Sequence, residues 1–263
     1  MAHTPLLPQS FQLASDEVHV WTVALDVTSE TSADLYATLT REERDDVARF
    51  RFERDRQRFI AAHGALRDVI ARYLETQPER ISYAYNAFGK PALGPEFDGR
   101  LKFNLSHSNG FALIAITADS DVGVDVEHVR AHADFAAIAS GFFSAAEVEH
   151  LTALPSPLCA EAFLSCWTKK EAYLKASGEG LAKPLNRFSV PLTSDCETPA
   201  YFYAASADIG PAKRWSLYTL KPAPDYIGAV AIEGTGWRLR QQPWTMPDAP
   251  SSSYSGLRAR MTN

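Results

Sequence analysis

The chain has 263 residues, 46% hydrophobic and 22% charged, which suits a soluble globular protein of one large domain or two of about 120 residues. With 26 Lys and Arg against 32 Asp and Glu the formal net charge is −6, which excludes a general nucleic-acid binder, since neutralising a phosphate backbone takes clustered excess base. A local basic pocket for a small anionic ligand stays open. Cys159, Cys166 and Cys196 form no CxxC pair, so a disulfide framework and a structural zinc site are excluded, and the three read as small buried hydrophobes. No apolar run nears the about 18 residues of a membrane span, and residues 1–10 hold neither a charged leader nor a long apolar stretch. The expected location is the cytoplasm, with no membrane partner.

In chain order, Val18 to Leu25 alternates and predicts the first strand. Thr40-Arg41-Glu42-Glu43 has the form of a capping box and starts a helix; a second helix is predicted over Asp55 to Tyr73, with Phe59, Ala62, Leu66 and Ile70 on one face. Leu101 to Leu105 predicts a strand, Ser108-Asn109-Gly110 a hairpin turn, and Phe111 to Thr117 the partner strand. Val122 to Glu127 alternates strictly. Ser144-Ala145-Ala146-Glu147 repeats the capping box, Glu161 to Ala176 predicts a long helix, and short β-like runs follow from Phe188 to Glu233.

This order hides a repeat. Thr40 and Ser144, Phe59 and Phe163, and Val18 and Val122 each stand 104 residues apart. The expected architecture is α+β: two similar subdomains, 1–119 and 120–242, with the metal-binding carboxylates in the second. The seam falls near Ala118-Asp119-Ser120-Asp121, and the Pro- and Ser-rich residues 243–263 predict a disordered tail.

Several segments carry chemistry. Asp125 and Glu127, at i and i+2 on a strand, project from one face, while Val124 and Val126 face the core. Two like charges side by side call for a cation or a proton, and hard carboxylate oxygens suit Mg²⁺; the competing reading is an exposed acidic strand end. In Trp167-Thr168-Lys169-Lys170-Glu171-Ala172-Tyr173-Leu174-Lys175, Glu171 and Lys175 lie one helical turn apart, which also describes an ordinary surface pair. Ser106 and His107 follow one another on a strand and so face opposite ways. No GxSxG elbow is present either, so a hydrolase triad is set aside in favour of donors to an anion. Arg49, Arg51, Arg54, Arg56 and Arg58 crowd a helix entry, where guanidinium forks match phosphates or simply coat a solvated face. Phe88-Gly89-Lys90-Pro91 sets an aromatic ring beside a lysine in a tight turn. Neither a Walker A loop nor GxGxxG occurs. Together these groups fit Mg²⁺-dependent chemistry on a phosphate or pyrophosphate.

The set GKP, FNLSHS, GVDVE and WTKKEAYLK, in this order, resembles the Sfp-type 4′-phosphopantetheinyl transferases over about Leu39 to Val190. The resemblance implies a pseudo-dimer of two α+β halves with one site between them. It implies transfer of phosphopantetheine from coenzyme A to a serine of an apo acyl or peptidyl carrier protein, with release of 3′,5′-ADP. By the same resemblance Asp125, Glu127 and Glu171 are expected to bind Mg²⁺, and Glu171 also to activate the acceptor serine. Lys175 is expected on the coenzyme A pyrophosphate, while Lys170 belongs to the motif without a defined role. Arg58 is expected on the 3′-phosphate, Gly89, Lys90 and Pro91 around the adenine, Ser106 and His107 on phosphates, and Arg44 as a further basic contact. Both halves in one chain imply a monomer. The rival reading is a coenzyme A or nucleotide binding module without catalysis, which would keep the cations and spare the carboxylates.

Overall fold

The computed structural model describes residues 11–97, 99–129, 135–178, 180, 184–192, 198–204 and 213–246. The first half runs β1 (Glu17–Ala24), α1 (Ser29–Thr38), α2 (Arg41–Arg49), α3 (Glu53–Leu74), a short hairpin of β2 (Tyr83–Tyr85) and β3 (Pro91–Leu93), then β4 (Lys102–Ser108) and β5 (Phe111–Thr117). The second runs β6 (Val122–His128), α4 (Phe135–Phe142), α5 (Ala145–Thr152), α6 (Ser156–Ser177), β7 (Ala200–Ala204), β8 (Lys213–Leu220) and β9 (Tyr226–Glu233). Strand β10 (Arg238–Pro243) closes the described chain.

Two four-stranded sheets carry the repeat: β10-β1-β5-β4 and β6-β9-β8-β7. Within them β1-β5-β4 and β6-β9-β8 are matching antiparallel trios. Alternation sends Val18 and Val20 of β1, and Val122, Val124 and Val126 of β6, into one apolar cluster between the sheets. The opposite faces pack on helices, the first sheet on α3 and the second on α6. The result is four layers, helix–sheet–sheet–helix, and both long helices have 22 residues.

Both predicted capping boxes form, at Thr40 with Glu43 and at Ser144 with Glu147. Each glutamate has a second partner. Glu43 Oε2 accepts from Arg67 Nε of α3 at 2.8 Å, and Arg67 Nη1 donates to the carbonyls of Pro78 and Ile81 at 2.9 and 2.7 Å. Glu147 pairs with Lys170 Nζ of α6 at 2.8 Å, and that ammonium donates to the carbonyls of Leu185 and Phe188 at 2.8 and 2.5 Å. Both cations are fully buried. One carboxylate therefore fixes a short helix, a long helix and the 3-10 turn that follows it, in each half. Lys170 is a structural lock.

The expectation of disorder from residue 243 is corrected at its start. Strand β10 pairs in parallel with β1, its residues Arg238 to Pro243 opposite Glu17 to Thr22. Trp244 is buried; its Nε1 donates to Asp68 Oδ2 at 2.7 Å, and Thr245 O accepts from Arg72 Nη2 at 2.8 Å. Residues 247–263 lie outside the described residues. Strand β10 has no apolar alternation, and its place depends on Arg238 and Arg240 meeting Glu17 from the far end of the chain. Helix α1, capped by Thr28, also adds to the expected elements. Of the cysteines, Cys166 is buried, Cys159 is only partly so, and Cys196 lies outside the described residues.

Burial alone would raise the Glu43 carboxyl, but His63, the Thr40 N–H and Arg67 together hold it at about 2 against an ordinary 4.5. A depressed carboxyl contributes stability above its unfolded value and loses it as pH falls through the folded one. Glu43→Gln is therefore expected to cost about 3 kcal/mol at pH 7, with the gap to wild type shrinking between pH 4.5 and 2. Urea unfolding of both proteins across that range checks this.

Candidate active site

The site begins with a missing side chain. Residues 123, 125 and 127 of β6 face α6, and a Cβ at Gly123 would lie 2.1 Å from the Ala172 carbonyl oxygen and 2.3 Å from the Ala176 nitrogen. Only glycine lets the helix backbone sit on the strand here. That contact carries Glu171 and Lys175, one turn apart on α6, over Asp125. Lys175 Nζ meets Asp125 Oδ1 at 2.6 Å and Ser106 Oγ at 2.9 Å.

Strand β4, from the other sheet, supplies the opposite wall through alternate residues. Asn104 Oδ1 accepts from Val124 N, Ser106 Oγ donates to Asp125 Oδ1, and Ser108 Oγ donates to Glu127 Oε2, each at 2.9 Å. The His128 N–H donates to Ser108 Oγ at 3.2 Å. These polar side chains stitch the two sheets together along the seam. Asp125 is buried, and its Oδ2 is a buried acceptor without a hydrogen-bond partner. Burial, then the negative charges of Asp125 and Glu127, raise the Glu171 carboxyl, and Lys175 opposes them. The three carboxylates thus share one electrostatic field. Among the described residues no three His, Cys, Asp or Glu stand in a ready-made ligand arrangement.

Beside them opens a cleft of about 270 Å³ lined by Phe88, Gly89, Lys90 and Pro91, by Asn104 and Leu105, and by Glu171 and Lys175. Asn86, which the sequence reading passed over, builds its rim. Its Oδ1 accepts from the N–H groups of Phe88 and Lys90, both at 2.9 Å, and its Nδ2 donates to the Gly178 carbonyl at 3.1 Å. Gly89 takes φ +82° in this turn. Lys90 Nζ donates to Ala176 O at 2.7 Å, and burial lowers its ammonium despite nearby Asp121.

The remaining cations scatter. Arg58 forks onto both oxygens of Asp26 at 2.8 and 3.0 Å and reaches Asn109 Oδ1 at 2.7 Å, which places it at the β4–β5 turn. His107 points to the other face of β4. Its ring reaches solvent, but enclosing protein first, and then the charges of His63 and Lys175, hold the imidazole below its ordinary value. Arg44 does not join the cleft: its Nη2 donates to Ala37 O at 2.9 Å and its guanidinium lies over the Tyr36 ring.

Two family models match consecutive stretches: "4′-phosphopantetheinyl transferase, N-terminal" over residues 26–119 and "4′-phosphopantetheinyl transferase superfamily" over 121–231. The chain is 39% identical to 4′-phosphopantetheinyl transferase HetI of Nostoc sp. across 88% of its own length and 94% of HetI. It belongs to the 4′-phosphopantetheinyl transferase family. Further relatives of this transferase are psf-1 of Bacillus pumilus, 32% identical over 75% of the chain and 86% of psf-1, and Sfp of Bacillus subtilis, 28% identical over 79% and 94%. The two family models meet on either side of Ser120: Asp125, Glu127 and Glu171 all fall in the second matched segment, and Asn104, Ser106 and Ser108, which reach across to β6, fall in the first.

Gly123→Ala tests the helix seat. Its Cβ would strike backbone, which no rotamer change relieves, so the variant is expected to lose about 1–3 kcal/mol and to part Lys175 from Asp125. A lower melting temperature together with weakened coenzyme A binding is the expected outcome, read by calorimetry.

Proposed function

We propose that the chain transfers the 4′-phosphopantetheine group of coenzyme A to a serine hydroxyl of an apo acyl or peptidyl carrier protein and releases 3′,5′-ADP. The observation that carries this reading is the buried, unpartnered Oδ2 of Asp125 beside the raised Glu171 carboxyl, with Glu171 and Lys175 both lining the cleft. Asp125, Glu127 and Glu171 offer hard oxygen donors, and the orphaned oxygen fits a divalent cation. Those three residues would hold Mg²⁺, which when bound neutralises pyrophosphate charge.

The chain's own residues do the rest. Glu171 takes the proton from the attacking serine Oγ, a weak nucleophile at neutral pH, and a raised carboxyl is the better base. The serine oxygen bonds to the phosphorus that carries pantetheine, the bond to the ADP oxygen breaks, and Lys175 stabilises the charge left on that phosphate. Gly89, Lys90 and Pro91 border the adenine, with Phe88 above the turn. Arg58 exchanges Asp26 for the 3′-phosphate. His107 serves a phosphate from its side of β4. Ser106 braces Asp125, and Arg44, turned towards α1, is left out. The pseudo-dimer supports a monomer. No described helix is long and apolar enough to cross a membrane, and with the absence of a long apolar run this supports cytoplasmic action.

The coenzyme A binding module keeps its place as the alternative, and one experiment separates them. The protein is incubated with coenzyme A, Mg²⁺ and several apo carrier domains, which are then weighed by mass spectrometry. A carrier gaining one phosphopantetheine group is expected; no gain on any carrier leaves the binding module. Glu171→Gln should lower transfer by about 10²- to 10⁴-fold while coenzyme A binding, measured by calorimetry without added metal, stays close to wild type. Near-normal turnover would remove Glu171 from the mechanism.

A further inference from the structure

Two lysines of α6 meet carboxylates in this protein, and they do so differently. Lys170 is fully buried, with its ammonium shared between Glu147 and two backbone carbonyls, so it has nowhere to go. Lys175 stands five residues further on, round to another side of the helix, with 30% of its side chain exposed, on the wall of the open cleft. Its partner Asp125 is 6% exposed and fixed by Ser106. The carboxylate is thus rigid and the ammonium, on a flexible four-carbon stem, is free to turn.

The pairing also leaves Asp125 half satisfied. Oδ1 receives both Lys175 and Ser106, while Oδ2 stays buried and unpartnered. A buried carboxylate oxygen without a donor carries a desolvation cost that a lysine on the other oxygen does not remove. A divalent cation at Asp125 would satisfy it, yet two cations at contact distance from one buried carboxylate repel strongly.

We propose that Lys175 is a displaceable occupant of the metal position: it holds Asp125 in the ligand-free protein and leaves when a pyrophosphate offers it phosphate oxygens. The inference rests on the reading that Asp125, Glu127 and Glu171 hold a divalent cation. Its consequence is linkage. The metal binds weakly alone because it must displace an ammonium, and coenzyme A, by drawing Lys175 away, raises metal affinity; reciprocally, the metal raises affinity for coenzyme A. Direct contact between metal and phosphate adds coupling of its own, so the decisive quantity is the affinity for the metal alone.

That affinity is read with Mn²⁺ as the only added ligand, by the loss of the free-ion electron paramagnetic resonance signal. Lys175→Met is expected to bind Mn²⁺ about tenfold more tightly than wild type, and coenzyme A should tighten Mn²⁺ less in this variant than in wild type. Lys90→Met removes an equal charge from the same cleft without touching Asp125, and should change Mn²⁺ affinity by about twofold at most. If Lys175→Met binds Mn²⁺ no more tightly than wild type, or Lys90→Met tightens it as much, Lys175 does not occupy the site. The underlying reading fails separately, and takes the inference with it, if Glu127→Gln binds Mn²⁺ as well as wild type in the presence of coenzyme A. A melting curve for each variant shows that it is folded.

Discussion

A carboxylate at the third position of a short helix, buried against a cation on the next long helix, organises each half of this transferase. Burying a carboxylate and a cation is expensive, and the cost is met only if every remaining donor and acceptor is satisfied. Glu147 with Lys170 meets that demand, and Glu43 with Arg67 meets most of it, leaving Glu43 Oε1 and Arg67 Nη2 without a hydrogen bond; each pair draws in two helices and a following turn. The constraint ties α3 to α2 and α6 to α5. Once α6 is fixed, the close contact at Gly123 and the reach of Lys175 to Asp125 follow from it.

The same helix steps behave oppositely in the two halves. Where α6 carries Glu171 and Lys175, α3 carries Asp68 and Arg72, and these form a buried ion pair of 2.6 Å. Trp244 and Thr245 cap that pair, and β10 covers the neighbouring edge of β1. Among the described residues no strand is added at the matching edge of β6, and β4 approaches with serines in place of backbone pairing. Among the described residues, the duplicated fold therefore leaves the cleft beside α6 open and its counterpart beside α3 filled. The filling comes from the C-terminal segment, whose composition gives no sign of it.

Which residues of the candidate site share a face was legible, because strand and helix periodicity is strict. Asp125 and Glu127 had to share a face, Glu171 and Lys175 had to share a helix face, and Ser106 and His107 had to part. Roles were less legible, because a side chain's partner is set by what lies across the seam. Lys170 and Lys175 look alike in WTKKEAYLK, yet one is a buried lock and the other lines the cleft. Ser106, Ser108 and Asn104 form a ladder that their spacing permitted but could not assign a partner. Arg44 and Arg58 both read as phosphate contacts, and only Arg58 lies beside the seam, at the β4–β5 turn.

By itself the sequence determined two α+β halves, both capping boxes, the hairpin at Asn109 and the family, because these rest on local spacing and on motifs carried in order. The tertiary structure decided the return of β10 to β1, the burial of Trp244, the clamp of Asn86 on the end of α6, and the grip of Lys175 on Asp125. Each of these joins residues distant in the chain, and the free energy that selects them arises only when two surfaces exclude water together.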